Sequence, residues 1–216
     1  MSLMVKSVTK RMSSEFELSV RDFALSEGIC SVTGPNGSGK STFLLLAAGL
    51  WTSDSGTILV GSNDRGLSVR SSGAKRLIGS FVSERQLVQF LSPIEYVTFA
   101  CELFESPVTR PQIESALDRV GVDATDAKRY LRELSAGTKA KVGAAAALVR
   151  APTLLILDEI VDSIDEQSWK HVASWIQELS AHGSSVVLIS SQNASRTRTL
   201  ASMELGFDRG VGGLRR

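Results

Sequence analysis

Hydrophobic and polar positions change rhythm three times along the chain. Phe16, Leu18 and Val20 alternate with Glu17, Ser19 and Arg21, the period-two pattern of a half-buried antiparallel strand. "GICSVTG" follows as a short interior strand through Ile29, Cys30 and Val32, "STFLLLAAGL" predicts a helix after a glycine-rich turn, and "SGTILVG" predicts another strand. From about residue 86 to 140 the pattern turns helical. Ser92, Pro93 and Glu95 supply the N-cap, first-turn proline and reciprocal acid of a capping box, and "RPQIESALDRVGV" is a second helix stopped by Gly121. "APTLLILDEI" is then a fully apolar strand, and "EQSWKHVASWIQELSAHG" an amphipathic helix ended by Gly183. Val186 to Ile189 in "SSVVLISSQN" form a run covered on both faces. Strands, an inserted helical block and then strand–helix–strand predict one α/β domain over residues 1–216. Its mixed, mostly parallel sheet has flanking helices and an antiparallel N-terminal strand region, with a core over 1–85 and 141–216 and a helical subdomain over about 86–140.

Composition narrows the class without choosing a function. With 43% hydrophobic and 22% charged residues, the chain can build an ordinary globular core. Its net charge of +1, from 24 basic and 23 acidic residues, gives no electrostatic case for nucleic acid. Arg209, Arg215 and Arg216 read as a solvated tail. Cys30 and Cys101 read as small buried hydrophobes, without metal-ligand spacing, which suits a reducing cytosol. The N-terminus lacks the apolar core of a signal peptide, and "FLLLAAGLW" and "VGAAAALV" are too short to cross a bilayer, so a soluble chain is expected. Only "MELGFDRGVGGLRR" follows the last strong strand, and no regulatory domain is expected there.

Chemistry enters with "GPNGSGKST", residues 34–42, which satisfies the phosphate-loop pattern between a strand and a helix. Gly34, Gly37 and Gly39 allow consecutive backbone N–H groups to face an anion, and Pro35, Asn36, Ser38 and Thr42 complete the loop. The following helix adds free N–H groups and its positive end. Lys40 reaches the β- and γ-phosphates, and the Ser41 hydroxyl is a ligand for Mg²⁺. Apart from its context, the stretch would read as a glycine-rich turn. "LLILDE" ends a strand in two carboxylates. Asp158 is placed to hold the Mg²⁺ shell, and Glu159 to align or deprotonate an attacking water. The interval from Lys40 to Asp158 is longer than in small nucleotide kinases and GTPases, and the helical block fills it.

At the end of that block stands "LSAGTKAKVGAAAALVRAPTLLILDE", followed by "DSID". With the phosphate loop, these segments resemble the ATP-binding domain of an ABC transporter over nearly the whole chain. The match lies at Leu134, Ser135, Gly137, Lys141, Leu148, Pro152 and Asp158–Glu159, and Asp165 resembles the aspartate of the family's D-loop. The resemblance implies a head-to-tail pair, a homodimer or a heterodimer with another ATP-binding subunit. Two ATPs lie between the copies, each phosphate loop facing Ser135 and Gly137 of the other copy. A transmembrane permease would hold the pair on the inner face of the cell membrane, docking on the helical block and the Ser83–Gln86 segment, with Phe81, Glu84 and Arg85 as test positions. Nothing implies nucleic acid.

The same resemblance exposes departures. Ser83 occupies the family's glutamine position near the metal, with Glu84 and Gln86 close by. The adenine-stacking aromatic is replaced by Met12 or a displaced Phe16. Ala136 and Thr138 alter the signature. Ser191 stands where a histidine contacts the γ-phosphate. Ser191 or Gln192 can hydrogen-bond a phosphate oxygen, but neither becomes cationic. His182 lies in the turn at the strand's other end, and His171 on a helix surface. The expected function is hydrolysis of Mg-ATP to ADP and phosphate by a transporter's cytoplasmic motor subunit. The alternatives are an ATP-gated dimerisation module with little hydrolysis, or one half of a heterodimeric ATPase.

Overall fold

The computed structural model describes residues 2–61, 66–181, 185–192 and 194–215. In chain order the first elements are β1 (Ser2–Arg11), β2 (Glu17–Val20), β3 (Phe23–Leu25), β4 (Gly28–Thr33), α1 (Lys40–Ala47) and β5 (Ser55–Gly61). Next come β6 (Leu67–Ser68), α2 (Ser72–Leu77), β7 (Ile78–Phe81), α3 (Pro93–Leu103), α4 (Arg110–Arg119) and α5 (Ala136–Leu148). The last are β8 (Leu154–Leu157), α6 (Ile160–Ser163), α7 (Glu166–Ala181), β9 (Val186–Ser190), α8 (Ala194–Arg198), β10 (Met203–Asp208) and β11 (Val211–Arg215).

The alternation at Leu18 and Val20 does produce an antiparallel strand, because both side chains are buried while Glu17 and Ser19 face out. The strands make one sheet in the order β6-β5-β1-β2-β11-β10-β4-β9-β8-β7, with β3 paired to β1 off that path. From β10 through β4, β9 and β8 to β7 every pairing is parallel. The carboxyl ends of these strands therefore open on one side, where doubly wound sheets place their ligands.

Two apolar clusters cover the sheet. One packs α1 (Phe43, Leu44, Leu46) against the antiparallel strands and one face of β4. The other packs α3, α4, α5 and α7 on the opposite face, over Leu155, Leu157, Val187 and Ile189. α3 begins at the capping box read from the sequence, Ser92 N–H donating to Glu95 at 2.8 Å and Glu95 N–H to the Ser92 hydroxyl at 3.4 Å. Cys30 and Cys101 are both buried, and burial pushes the Cys30 thiol up to about 12.

The structure departs from the sequence reading in three places. The boundary drawn at 140/141 falls inside α5, one continuous helix from the signature to the sheet. The glycine-rich stretch after β9 is the β10–β11 hairpin, which joins β4 to β2 and so ties the antiparallel strands to the parallel core. Arg209 and Gly210, both at positive φ, make its two-residue turn. Arg215 accordingly belongs to a strand and pairs with Glu204 at 3.3 Å, whereas Arg216, like His182 and Gly183, lies outside the described residues. Among the described residues no helix is long and apolar enough to cross a membrane.

Candidate functional site

β4 runs straight into the glycine loop, and α1 starts at its last glycine. Gly34, Gly37 and Gly39 have φ of 144°, 75° and 108°, values that an L side chain strains to reach. Space matters as well: a Cβ on Gly34 would lie 2.3 Å from the Phe207 carbonyl oxygen, and one on Gly39 2.7 Å from Leu18 Cδ1. No side chain caps α1 and no acid sits in its first turn, which leaves that end electropositive for an anion. The buried Ser38 hydroxyl has no partner among the described residues. Lys40, also buried, folds back over the loop and donates to the Gly34 and Pro35 carbonyls at 2.8 and 3.1 Å. Glycine cradle, orphaned hydroxyl and buried ammonium together fit a polyphosphate.

Asp158 and Glu159 follow β8 on the same side. Asp158 is hydrogen-bonded to the Ser41 hydroxyl and to Ser190. Burial pushes its carboxyl above the usual range, and the Glu159 charge adds to this, while those two hydroxyls and Lys40 oppose it. A hydroxyl and a carboxylate in contact are oxygen donors suited to Mg²⁺. No cluster of three His, Cys, Asp or Glu side chains exists among the described residues. A cation at Ser41 and Asp158 would therefore complete its shell from phosphate oxygens and water, as Mg²⁺ commonly does in nucleotide sites.

Glu159 sits at φ 50°, a strained backbone for a non-glycine residue and a feature that gathers at functional sites. Its N–H donates to Ser190 Oγ at 3.1 Å, and its carboxylate accepts from Gln192 Nε2 at 3.2 Å. Gln192 and Glu159 line one cavity of about 480 Å³ with Asn36, Gly37 and Gly39 through Thr42. Met12 and Phe16 form another part of its wall, so the two side chains offered as adenine supports both reach it. Asn36 and Thr42 do too. Pro35 contributes its carbonyl to Lys40 instead.

Other expected residues land elsewhere. Ser191 is not among the cavity's walls: its hydroxyl donates to the Asp162 carboxylate at 2.9 Å. It is Gln192, not Ser191, that the strand end presents beside Glu159. Ser83 lies beyond β7, also outside the cavity's walls, where its hydroxyl accepts from Arg85 N–H at 3.2 Å. Asp165 is committed within its own chain, accepting from Ser168 N–H at 2.8 Å and pairing with Lys141 at 2.7 Å. Those donors hold its carboxyl well below the usual carboxylate range. Ser135 caps α5, accepting from Thr138 N–H at 3.1 Å, and is exposed with Ala136 ahead of the half-buried Gly137. His171 is on the surface of α7. Phe81 is buried, with its ring over Gly143 of α5, so it is a core residue and not a docking position. Glu84 and Arg85 stay at the surface, Glu84 4.0 Å from Lys139.

Ser190 was missed by the sequence reading. It is fully buried at the end of β9 and contacts both Asp158 and the Glu159 N–H.

The protein-family model described as "ABC transporter" matches residues 20–162. Among curated proteins, the phosphonates import ATP-binding protein PhnC of Hyphomonas neptunium is 32% identical over 182 residues, covering 80% of this chain and 69% of that protein. The sulfate/thiosulfate import ATP-binding protein CysA of Mesostigma viride is 28% identical over 215 residues, covering 97% and 60%. The chain spans 50% of the CysA of Synechocystis, to which it is 29% identical, so it matches between half and about two thirds of the length of these relatives. Among solved structures, a dimeric post-hydrolysis state of the ATP-binding cassette MJ0796 bound to ADP and Pi superposes with a TM-score of 0.83. Its identity is 18%, with 99% of this chain and 98% of that one covered, a likeness of fold.

Proposed function

Because the chain belongs to the ABC transporter family, we propose that it binds ATP and hydrolyses it to ADP and phosphate as the motor subunit of a membrane transporter. The observation that carries this reading is the convergence of Lys40, Ser41, Asp158, Glu159 and Gln192 at the carboxyl ends of adjacent parallel strands. The loop N–H groups and Lys40 hold the β- and γ-phosphates, with Lys40 exchanging its two loop carbonyls for phosphate oxygens. Ser41 and Asp158 hold Mg²⁺, which supplies neutralisation of phosphate charge when bound. Glu159 takes a proton from a water that attacks the γ-phosphorus. A new P–O bond forms as the β,γ-bridging bond breaks, and ADP leaves with the electron pair of the broken bond. Gln192 positions the Glu159 carboxylate, and Met12 and Phe16 carry the base.

The relatives named above are import subunits, which supports inward transport. A permease would dock in a second cavity, about 440 Å³, between the core and the helical block. Leu50 and Leu103 stand 50% and 61% exposed at its rim, and Arg76 and Glu105 bridge it at 2.5 Å. The permease keeps the chain on the cytoplasmic face. Ser135 and Gly137 would meet the nucleotide of a second ATP-binding subunit.

The test is phosphate release from Mg-ATP at high protein concentration, beside Glu159→Gln. Wild type is expected to release phosphate slowly, and the variant at least ~10²-fold more slowly. Equal rates would remove Glu159 from the chemistry. A second reading, an ATP-gated pairing module with little hydrolysis, is favoured by one observation. The strand end offers the neutral Gln192 beside Glu159, while the hydroxyl of Ser191 is engaged by Asp162. ATP binding without phosphate release would select it.

A further inference from the structure

A cavity of about 720 Å³ lies over β4, β10 and β11 and shares no lining residue with the nucleotide cavity. Strand register explains why it is open. Ser31 pairs with Glu204 and Thr33 with Gly206 across β4–β10, and Glu204 pairs with Arg215 and Gly206 with Gly213 across β10–β11. These residues share one sheet face. On that face apolar cover ends at Ile29 and Ile189, and the residues beyond them are small or charged. A Cβ on Gly213 would meet no atom within 4 Å, so the floor is bare there. Over Gly206 the arginine takes the place of a side chain: a Cβ on Gly206 would sit 1.9 Å from Arg215 Nε. The guanidinium thus lies along the floor.

Charge is unevenly shared. Glu204, 23% exposed, answers to Arg198 and Arg215, each at 3.3 Å, and also accepts from the Thr33 hydroxyl at 2.7 Å. Arg21 forms another part of the wall, and its guanidinium has no partner among the described residues. The cavity's other acid, Asp22, is taken by the Ser7 N–H and hydroxyl at 2.6 and 2.7 Å. Three guanidiniums therefore stand against one carboxylate that is free to serve them. Ala201 adds apolar wall on this face, while Phe23, Met203 and Leu214 reach the cavity only from the other side of the sheet's edge.

We propose that this trough binds a small organic anion, a phosphate monoester or carboxylate whose apolar body rests on Ala201 and the bare strand at Gly213. Guanidinium forks suit such oxyanions because two parallel N–H groups meet two oxygens. The volume falls within the roughly 300–1,000 Å³ of small-molecule sites. The anion bridges Arg21 to the Arg198–Arg215 pair, supplying the negative charge that Glu204 alone does not.

Calorimetric titration with phenyl phosphate, the chain first saturated with Mg-ADP so that the phosphate loop is filled, tests the site. One saturable equivalent is expected, with inorganic phosphate, which lacks the apolar body, binding at least ~10-fold more weakly. Joint replacement Arg21→Gln and Arg215→Gln should weaken phenyl phosphate at least ~10-fold. Gly213→Val should do the same by filling the floor, and since its side chain enters open space it keeps the test alive if the double variant does not fold. ADP affinity should be unchanged in both. No saturable binding with ADP in place, or binding unaltered by Gly213→Val, would overturn the proposal. If the chain bound no ADP at all, the two variants would still report on the trough, and only the nucleotide reading would fail.

Discussion

Ser190 serves two partners with one hydroxyl, donating to the Asp158 carboxylate and accepting from the Glu159 N–H. Both acids of the site are thereby fixed to the neighbouring strand. Ser190→Ala strips the part-buried Glu159 N–H of its partner and leaves the buried Asp158 carboxylate only the Ser41 hydroxyl, a change that costs roughly 1–3 kcal/mol. Urea unfolding should show that loss, and phosphate release should fall more than ATP affinity does. A variant of wild-type stability and rate would show the contact to be idle. The residue was illegible in sequence for a physical reason. A serine ending a strand acquires its partners only from register, here Leu157 against Ile189. The phosphate loop was legible because its residues are contiguous and its chemistry lies in its own backbone. Of the two residues offered at that strand end, Ser191 turns to Asp162 and Gln192 stays at the cavity, a choice that sequence alone left open.

At the scale of elements, α7 begins at a cap with two supports, Ser168 and Lys141, both on Asp165. The folded-state carboxyl titrates below its unfolded value of about 3.9. Its contribution is therefore complete above about pH 4 and disappears as pH falls through the folded-state value. Urea midpoints of wild type and Asp165→Asn should differ by a constant amount from pH 7 to 5 and converge in stronger acid. A difference that persisted undiminished in strong acid would mean that packing, not charge, sets it. Sequence periodicity found α3, α4, α7, β8 and β9 because their side chains mark their faces. It passed over β10 and β11, where Gly206, Gly212 and Gly213 interrupt the alternation, although the Arg209–Gly210 turn signals a hairpin.

For the whole molecule, the exposed start of α5 and the open phosphate loop are both surfaces without a partner in one chain. Under the proposed head-to-tail pairing, ATP should convert Glu159→Gln monomers into dimers by sedimentation, and Ser135→Arg should prevent this while ATP still binds. Pairing that survives Ser135→Arg would place the second subunit elsewhere.

The β10–β11 hairpin also sets an order of events. Gly210 N–H donates to the Ser38 carbonyl at 3.0 Å, β10 lines β4, and β11 reaches β2. A nascent chain that has emerged from the ribosome only to about residue 200 has its nucleotide motifs complete in sequence. It still lacks the strands that close the sheet beside the phosphate loop. Contacts this distant along the chain form slowly because loop closure precedes their reward. Closure of the sheet beside the phosphate loop therefore waits on residues 203–215, however early the loop itself has been made.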